Sequence, residues 1–181
     1  QLFFPKRIWE GEGSERQVYL TFDDGPVPGV TDFVLNELAE RNQKATFFMV
    51  GDNLRKYPSL GKEVLKAGHR IGNHTFNHLN GWKTADGVYL KNIQTFDQEL
   101  ESLLGVQTEL FRPPYGLIRN SQAKKVLKSK KLIMWNVLTG DYDPTLNTPR
   151  ILSKSIQNTR PGSIILFHDQ LKTKNVIRQV L

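Results

Sequence analysis

Cysteine is absent from the 181 residues, which excludes a disulfide framework and any thiolate metal site. A metal held by this chain must bind nitrogen and oxygen. Long apolar runs are absent too. The longest, IILF at 164–167, is strand-sized, well short of the roughly 18 apolar residues a membrane span requires. The N-terminal QLFFPKRIWEGEG lacks the order of basic, apolar and small-residue regions that marks a signal peptide. A leader can be removed, so that leaves the compartment open. Internal repeats, low-complexity tracts and linkers are also missing, and one domain over 1–181 is expected. Acidic residues are in deficit, 18 against 25 basic, giving a net charge of +7. Such a surface suits nucleic acid, an anionic cell-wall polymer or an acidic membrane face. No nucleic-acid motif accompanies it, and the densest cluster, KKVLKSKK at 124–131, reads as a solvated helix face.

Strand-like and helix-like runs alternate along the chain. Strands are expected at 17–22, 45–50, 69–74, 108–114, 132–137 and 162–167, where β-branched and aromatic residues concentrate. Helices are expected at 31–42, capped by Thr31 or Asp32, and at 59–68, 86–105, 121–131, 148–159 and 175–181. The longest, 86–105, carries Leu90, Ile93, Phe96 and Leu100 on one stripe and stops at Gly105; Gly68 stops the helix 59–68, and Pro149 stands near the first turn of 148–159. Alternation of this kind implies a mainly parallel α/β sheet covered by helices, either a barrel or an open doubly wound sheet.

Polar residues collect where the strands end. Asp23 and Asp24 close the first strand in TFDDGP, His74 and His78 follow the third in HTFNH, and Arg112 sits late in LFRPP. Asp141 lies beyond LIMWNV, and His168 and Asp169 close IILF. In parallel α/β folds the C-terminal strand ends share one rim, where sites are built. Two imidazoles four residues apart can reach one ion, and imidazole with carboxylate suits zinc and similar divalent metals. Two histidines and one carboxylate leave positions open for water and substrate. One aspartate of the pair can therefore ligate a metal while the other stays free as a base, and the cation offsets their repulsion. Alone, HTFNH is better read as two surface or core histidines and DDG as a capping or turn carboxylate pair; the metal reading comes from the two together. Trp135 reads as core. Asn73, Thr75 and Asn77 read either as orienting the histidines or as satisfying their loop.

TFDDGP, HTFNH, RPPY, the Asp141 region and LFHD stand in the order and approximate spacing of the polysaccharide deacetylases, carbohydrate esterase family four, or NodB homology domain. The chain resembles that family from about Val18 to Asp169. The resemblance implies a distorted, incomplete (β/α) barrel that removes acetyl groups from N-acetylglucosamine-containing glycans, such as peptidoglycan or chitin-like oligosaccharides. Asp24, His74 and His78 would bind a divalent metal, zinc first, with cobalt, nickel or manganese as substitutes. Asp23 would be the general base, oriented and kept ionised by Arg112. His168 would be the general acid, tuned by Asp141. Tyr115 would offer its backbone N–H to the oxyanion, and Leu166 and Pro114 would contact substrate. A glycan-directed monomer in the envelope or secreted is the expectation, with no nucleic-acid partner. The chain departs from the family's D-x-x-D-W pattern: Leu138 replaces the first aspartate and Tyr142 the tryptophan in LTGDYD, which leaves Asp141 rather than Asp143 by position. It stops at Leu181, where relatives continue through a helix and strand. A glycan-binding pseudoenzyme with a structural metal and a hydrolase of non-sugar amides remain the alternative readings.

Overall fold

A computed structural model describes residues 6–11 and 16–181; the rest of the N-terminal stretch read above lies outside the described residues. The strands are β1 (Arg7–Ile8), β2 (Tyr19–Asp23), β3 (Ala45–Met49), β4 (Arg70–Asn73), β5 (Leu110–Phe111), β6 (Lys131–Ile133), β7 (Val137–Leu138) and β8 (Ile164–His168). Around them lie α1 (Thr31–Glu40), α2 (Gly51–Lys56), α3 (Pro58–Lys66), α4 (Asp86–Leu104), α5 (Asn120–Val126), α6 (Thr148–Asn158) and α7 (Lys174–Val180). The strands form one sheet, in the order β1-β6-β5-β4-β3-β2-β8-β7, and every neighbouring pair in it is parallel.

This sheet must curl. β6 and β7 pair near its opposite ends, yet only residues 134–136 join them. Four Cα steps span at most about 14 Å, so the two ends face each other across a narrow gap. The result is an incomplete barrel.

Strand alternation sorts the side chains. Phe22, Phe47 and Phe167 are register partners on β2, β3 and β8, and their rings stack at 5.1 and 5.5 Å between centroids. They belong to the core that includes Val34 and Leu38 of α1 and Phe96 and Leu100 of α4. Each such buried side chain contributes roughly 1.5–3 kcal/mol. The other parity carries Thr21, Asp23, Phe48, Leu166 and His168. Gly72, the register partner of Phe48, leaves room for it: a Cβ there would come within 2.4 Å of the Phe48 ring.

Several local expectations are revised. The expected strand 132–137 is two strands, because Ile133 and Met134 give their carbonyl oxygens to the Arg112 guanidinium at 3.3 and 2.9 Å and the chain then crosses the gap. The expected helix 121–131 ends at Val126, and Lys131 enters β6, its N–H donating to Glu109 O at 2.7 Å. Strand pairing outweighs helix propensity there. α1 begins after Val30 with no side-chain cap, since the Thr31 hydroxyl is engaged with Asp169 and Val27 instead. On α4, Tyr89 rather than Leu90 joins Ile93, Phe96 and Leu100 as fully buried. Gly68 and Gly105 do take left-handed conformations, φ +79° and +69°. None of the described helices is long and apolar enough to cross a membrane.

Candidate active site

Asp23 and His168 are the last residues of β2 and β8 and are register partners. Asp24 follows β2, His74 follows β4, and Arg112 follows β5. Asp23, Asp24, His74 and His168 line one cavity of about 630 Å³ together with His78, while Arg112 is fully buried behind Asp23.

Asp24, His74 and His78 each place one ligand-type atom within 4.8 Å of the others'. The Nδ1 of His74 lies 2.8 Å from Arg112 O. A carbonyl can only accept, so Nδ1 carries the proton and Nε2 keeps its lone pair toward the cluster. Asp24 Oδ1 is buried without a conventional hydrogen-bond donor and faces His78 Nε2 at 3.0 Å and His74 Nε2 at 3.6 Å. Burial alone would raise the Asp24 carboxyl, but His78 in hydrogen-bonding range and the charges of His74, His78 and His168 bring it down to about 2. A buried anionic oxygen facing the Nε2 atoms of two imidazoles is an arrangement that a divalent cation would satisfy, and the donor set fits zinc-class ions.

Beside this cluster Asp23 is almost fully buried and paired with a fully buried arginine. Arg112 donates through Nη1 to Asp23 Oδ1 at 2.7 Å and to the Thr21 hydroxyl at 2.8 Å. With the two carbonyls already named, four acceptors hold the guanidinium, which also lies 4.1 Å above the Phe48 ring. The Oδ2 of Asp23 remains on the cluster side, 3.6 Å from His74 Nε2.

His168 stands across the cavity. Asp141 accepts from its backbone N–H at 2.7 Å and from its Nδ1 at 2.8 Å, so a single carboxylate fixes both the ring and its tautomer and leaves Nε2 free. Burial would lower this imidazole, but the Asp141 hydrogen bond and the charges of Asp141, Asp23 and Asp24 prevail and raise its pKa. Asp143, the alternative in the same motif, is half-buried and turned to Thr145.

Leu166, Leu138, Trp135 and Tyr142 line the cavity; Trp135 is half-buried and packs against the core while also forming part of the cavity wall. Tyr115 also lines it, its ring 4.7 Å from that of His78. Pro114 does not. It is buried at the start of the short 3₁₀ turn Pro114–Gly116, where it shapes the backbone that presents Tyr115.

Five further residues support this constellation, two of them, Asn53 and Asn92, unmarked in the sequence. Asn92 of α4 accepts from the N–H groups of Phe76 and Asn77 and donates to the Asn77 side chain. Asn73 accepts from Thr75 N, and Thr75 from Leu79 N, so the asparagines and threonine satisfy the loop that carries both histidines. Asn53 of α2 donates to Asp24 O at 2.7 Å. Asp169, fully buried, accepts from Gly25 N at 3.1 Å and from the Thr31 hydroxyl at 2.6 Å. Burial, with Asp24 nearby, pushes its carboxyl up to about 8 against those two hydrogen bonds. Only the adjacency in LFHD hinted at it; Asn53 and Asn92 had no sequence signal.

An incomplete parallel barrel with carboxylates and imidazoles gathered at its C-terminal rim defines a hydrolase class. The chain belongs to the polysaccharide deacetylase family, whose model matches residues 10–135. Members of that family are generally metal-dependent hydrolases. The chain is 37% identical over 161 residues to a peptidoglycan-N-acetylglucosamine deacetylase of Bacillus cereus, covering 88% of this chain and 58% of that protein. It is 37% identical over 168 residues to the chitooligosaccharide deacetylase of Azorhizobium caulinodans, covering 90% and 77%. Its fold superposes on the solved peptidoglycan deacetylase PdaC of Bacillus subtilis with a TM-score of 0.84 at 28% identity, over 92% of this chain and 82% of that one.

Proposed function

We propose that residues 1–181 form one zinc-dependent deacetylase domain acting on N-acetylglucosamine-containing glycans of the cell envelope. The observation that carries this reading is the buried Asp23–Arg112 pair, 2.7 Å long, standing beside the Asp24, His74 and His78 cluster. Binding alone needs neither a buried free carboxylate nor the opposed His168–Asp141 pair.

Asp24, His74 and His78 would hold the ion. When bound, it supplies Lewis acidity toward the acetyl carbonyl and a lowered pKa for a bound water, from about 16 toward 7. The residues of the chain carry the remaining steps. Asp23, oriented through Oδ1 by Arg112, takes a proton on Oδ2 from the attacking water as the new C–O bond forms. The Tyr115 backbone N–H donates to the oxygen on which charge develops; losing one such donor typically costs on the order of 3 kcal/mol. His168 Nε2 delivers a proton to the sugar nitrogen as the C–N bond breaks, and Asp141 stabilises the imidazolium beforehand. Acetate leaves and the amine stays on the sugar. Leu166, Leu138 and Trp135 give the acetyl methyl an apolar wall.

Acetate release from an acetylated glucosamine oligomer by zinc-loaded protein is the expected result. A chelator should abolish it, and so should Asp23→Asn. Undiminished release by Asp23→Asn would reject the assigned base, and greater activity with cobalt, nickel or manganese would reject zinc.

A further inference from the structure

We propose that one side of the pocket rim is a carboxylate-reading subsite, in which Lys172, extended by Lys174 and Arg178, selects acidic glycans over neutral ones of the same length. This rests on the deacetylase reading above and names its substrate class.

Lys172 lines the catalytic cavity and is exposed. Its Nζ lies 5.6 Å from the Tyr142 ring, which stands roughly edge-on to His168 with 5.0 Å between centroids and 72° between planes. The ammonium thus stands one aromatic ring away from the imidazole assigned to the leaving nitrogen. Tyr142 fixes where the cation stands without neutralising it, because a ring face attracts a cation but carries no net charge.

Further along, Lys174 Nζ lies 3.4 Å from the point where a side chain at Gly29 would begin. Arg178 reaches Gly29 O at 3.5 Å, and its guanidinium covers the Phe33 ring at 4.6 Å. The cations therefore follow the loop that leaves Asp24. No ion pair joins any of the three to a carboxylate among the described residues. Residues 170–181 include no acid, and the facing loop 25–31 is uncharged. The nearby carboxylates are engaged elsewhere: Asp141 on His168, Asp143 on Thr145, Asp169 on Gly25 and Thr31, and Asp32 on the Phe33 N–H.

Lys130, by contrast, is half-buried and paired with Asp97 at 2.9 Å. Lys172 on the cavity rim, continued away from it by Lys174 and Arg178 at Gly29, forms a local positive field, which concentrates an oppositely charged ligand. A neutral amino-sugar oligomer offers that field nothing. A strand bearing a carboxylate on the sugar beside the reacting residue offers it an ion pair at each repeat.

The test compares a tetrasaccharide of alternating N-acetylglucosamine and lactyl-ether sugars with the same oligomer after its carboxylates are converted to amides. Acetate release by the zinc-loaded full chain should give a kcat/KM about tenfold higher on the acid form. The advantage should shrink as salt rises from about 20 to 300 mM, because exposed charges are screened. Lys172→Gln should bring the ratio near one through KM, and Lys172→Arg should retain it. Equal kcat/KM on both oligomers in the parent, or an unchanged ratio in Lys172→Gln, overturns the proposal. Calorimetric binding of both oligomers to the turnover-deficient Asp23→Asn reads the charge preference without catalysis. Absent acetate release with preferential binding of the acid form would therefore overturn only the deacetylase reading.

Discussion

Replacing Arg112 by methionine tests the architecture at its most loaded point. The guanidinium is fully buried and donates to Asp23 Oδ1, the Thr21 hydroxyl, Met134 O and Ile133 O. Methionine matches much of its volume but supplies no donor. Asp23, 3% exposed, is then left as a buried carboxylate with no cation beside it. Breaking a buried pair by deleting one partner costs about 3–5 kcal/mol, because the surviving charge is uncompensated. For a domain of this size 1 kcal/mol moves the melting temperature by roughly 2–4 °C, so Arg112→Met should melt roughly 6–20 °C lower. The double variant Arg112→Met with Asp23→Leu removes both charges and should recover more than half of the loss. Urea unfolding of the two singles and the double closes the cycle and gives the coupling directly. A single variant within about 1 kcal/mol of the parent, or a double no better than the single, refutes the claim that the pair is desolvated and mutually dependent.

Other outcomes follow from the same geometry. Asp141→Asn withdraws what raises His168, so its pKa should fall and the basic limb of the kcat profile should move to lower pH; an unmoved limb would detach His168 from the acid role. Zinc at about 100 times its Kd should stabilise the parent by about 2.7 kcal/mol, and differential scanning fluorimetry of Asp24→Asn should show most of that gain gone, whatever its activity. Gly25→Ala puts a Cβ 2.1 Å from Asp169 Oδ2 and should weaken zinc binding at least tenfold by calorimetry while the far-UV spectrum stays native. Parent-like affinity there would mean that Asp169 does not govern the position of Asp24.

Much of this site was legible because its chemistry sits in contiguous motifs. TFDDGP and HTFNH place their carboxylates and imidazoles within a few residues of a strand end, and strand ends are readable from apolar runs. The single strand expected over 132–137 was not two in any visible sense, because its break serves a guanidinium whose partners lie 21 and 22 residues away. α2 was missed for a simpler reason: GDNLRK buries only Gly51 and Leu54, too few positions to set a period. Asn53, Asn92 and Asp169 act on backbone groups 29, 15 and 144 residues distant. No local pattern encodes such contacts. Gly72 was equally silent, since its contribution is the space it leaves for Phe48 beneath Arg112.

The backbone explains why those silent residues are needed. Asp24, Thr75, His78 and Tyr115 have φ of 83°, 63°, 54° and 61°, a left-handed region that costs a non-glycine residue roughly 1–2 kcal/mol. Glycine at these positions would relieve the strain but would delete the carboxylate, the imidazole or the ring that the cavity uses, or the Thr75 hydroxyl that caps Leu79 N. The conformations must instead be held from outside, and the Asp24 turn and the histidine loop have their clamps: Asn53 on the Asp24 carbonyl, Asp169 on the Gly25 N–H, Asn73 on the Thr75 N–H, Asn92 on Phe76 and Asn77. A buried polar group earns its place when hydrogen-bonded and is costly when not, so these clamps lose most when the loops relax. Strained ligand loops and buried amide or carboxylate clamps therefore stabilise one another, and the constellation keeps its shape before any ion or glycan arrives.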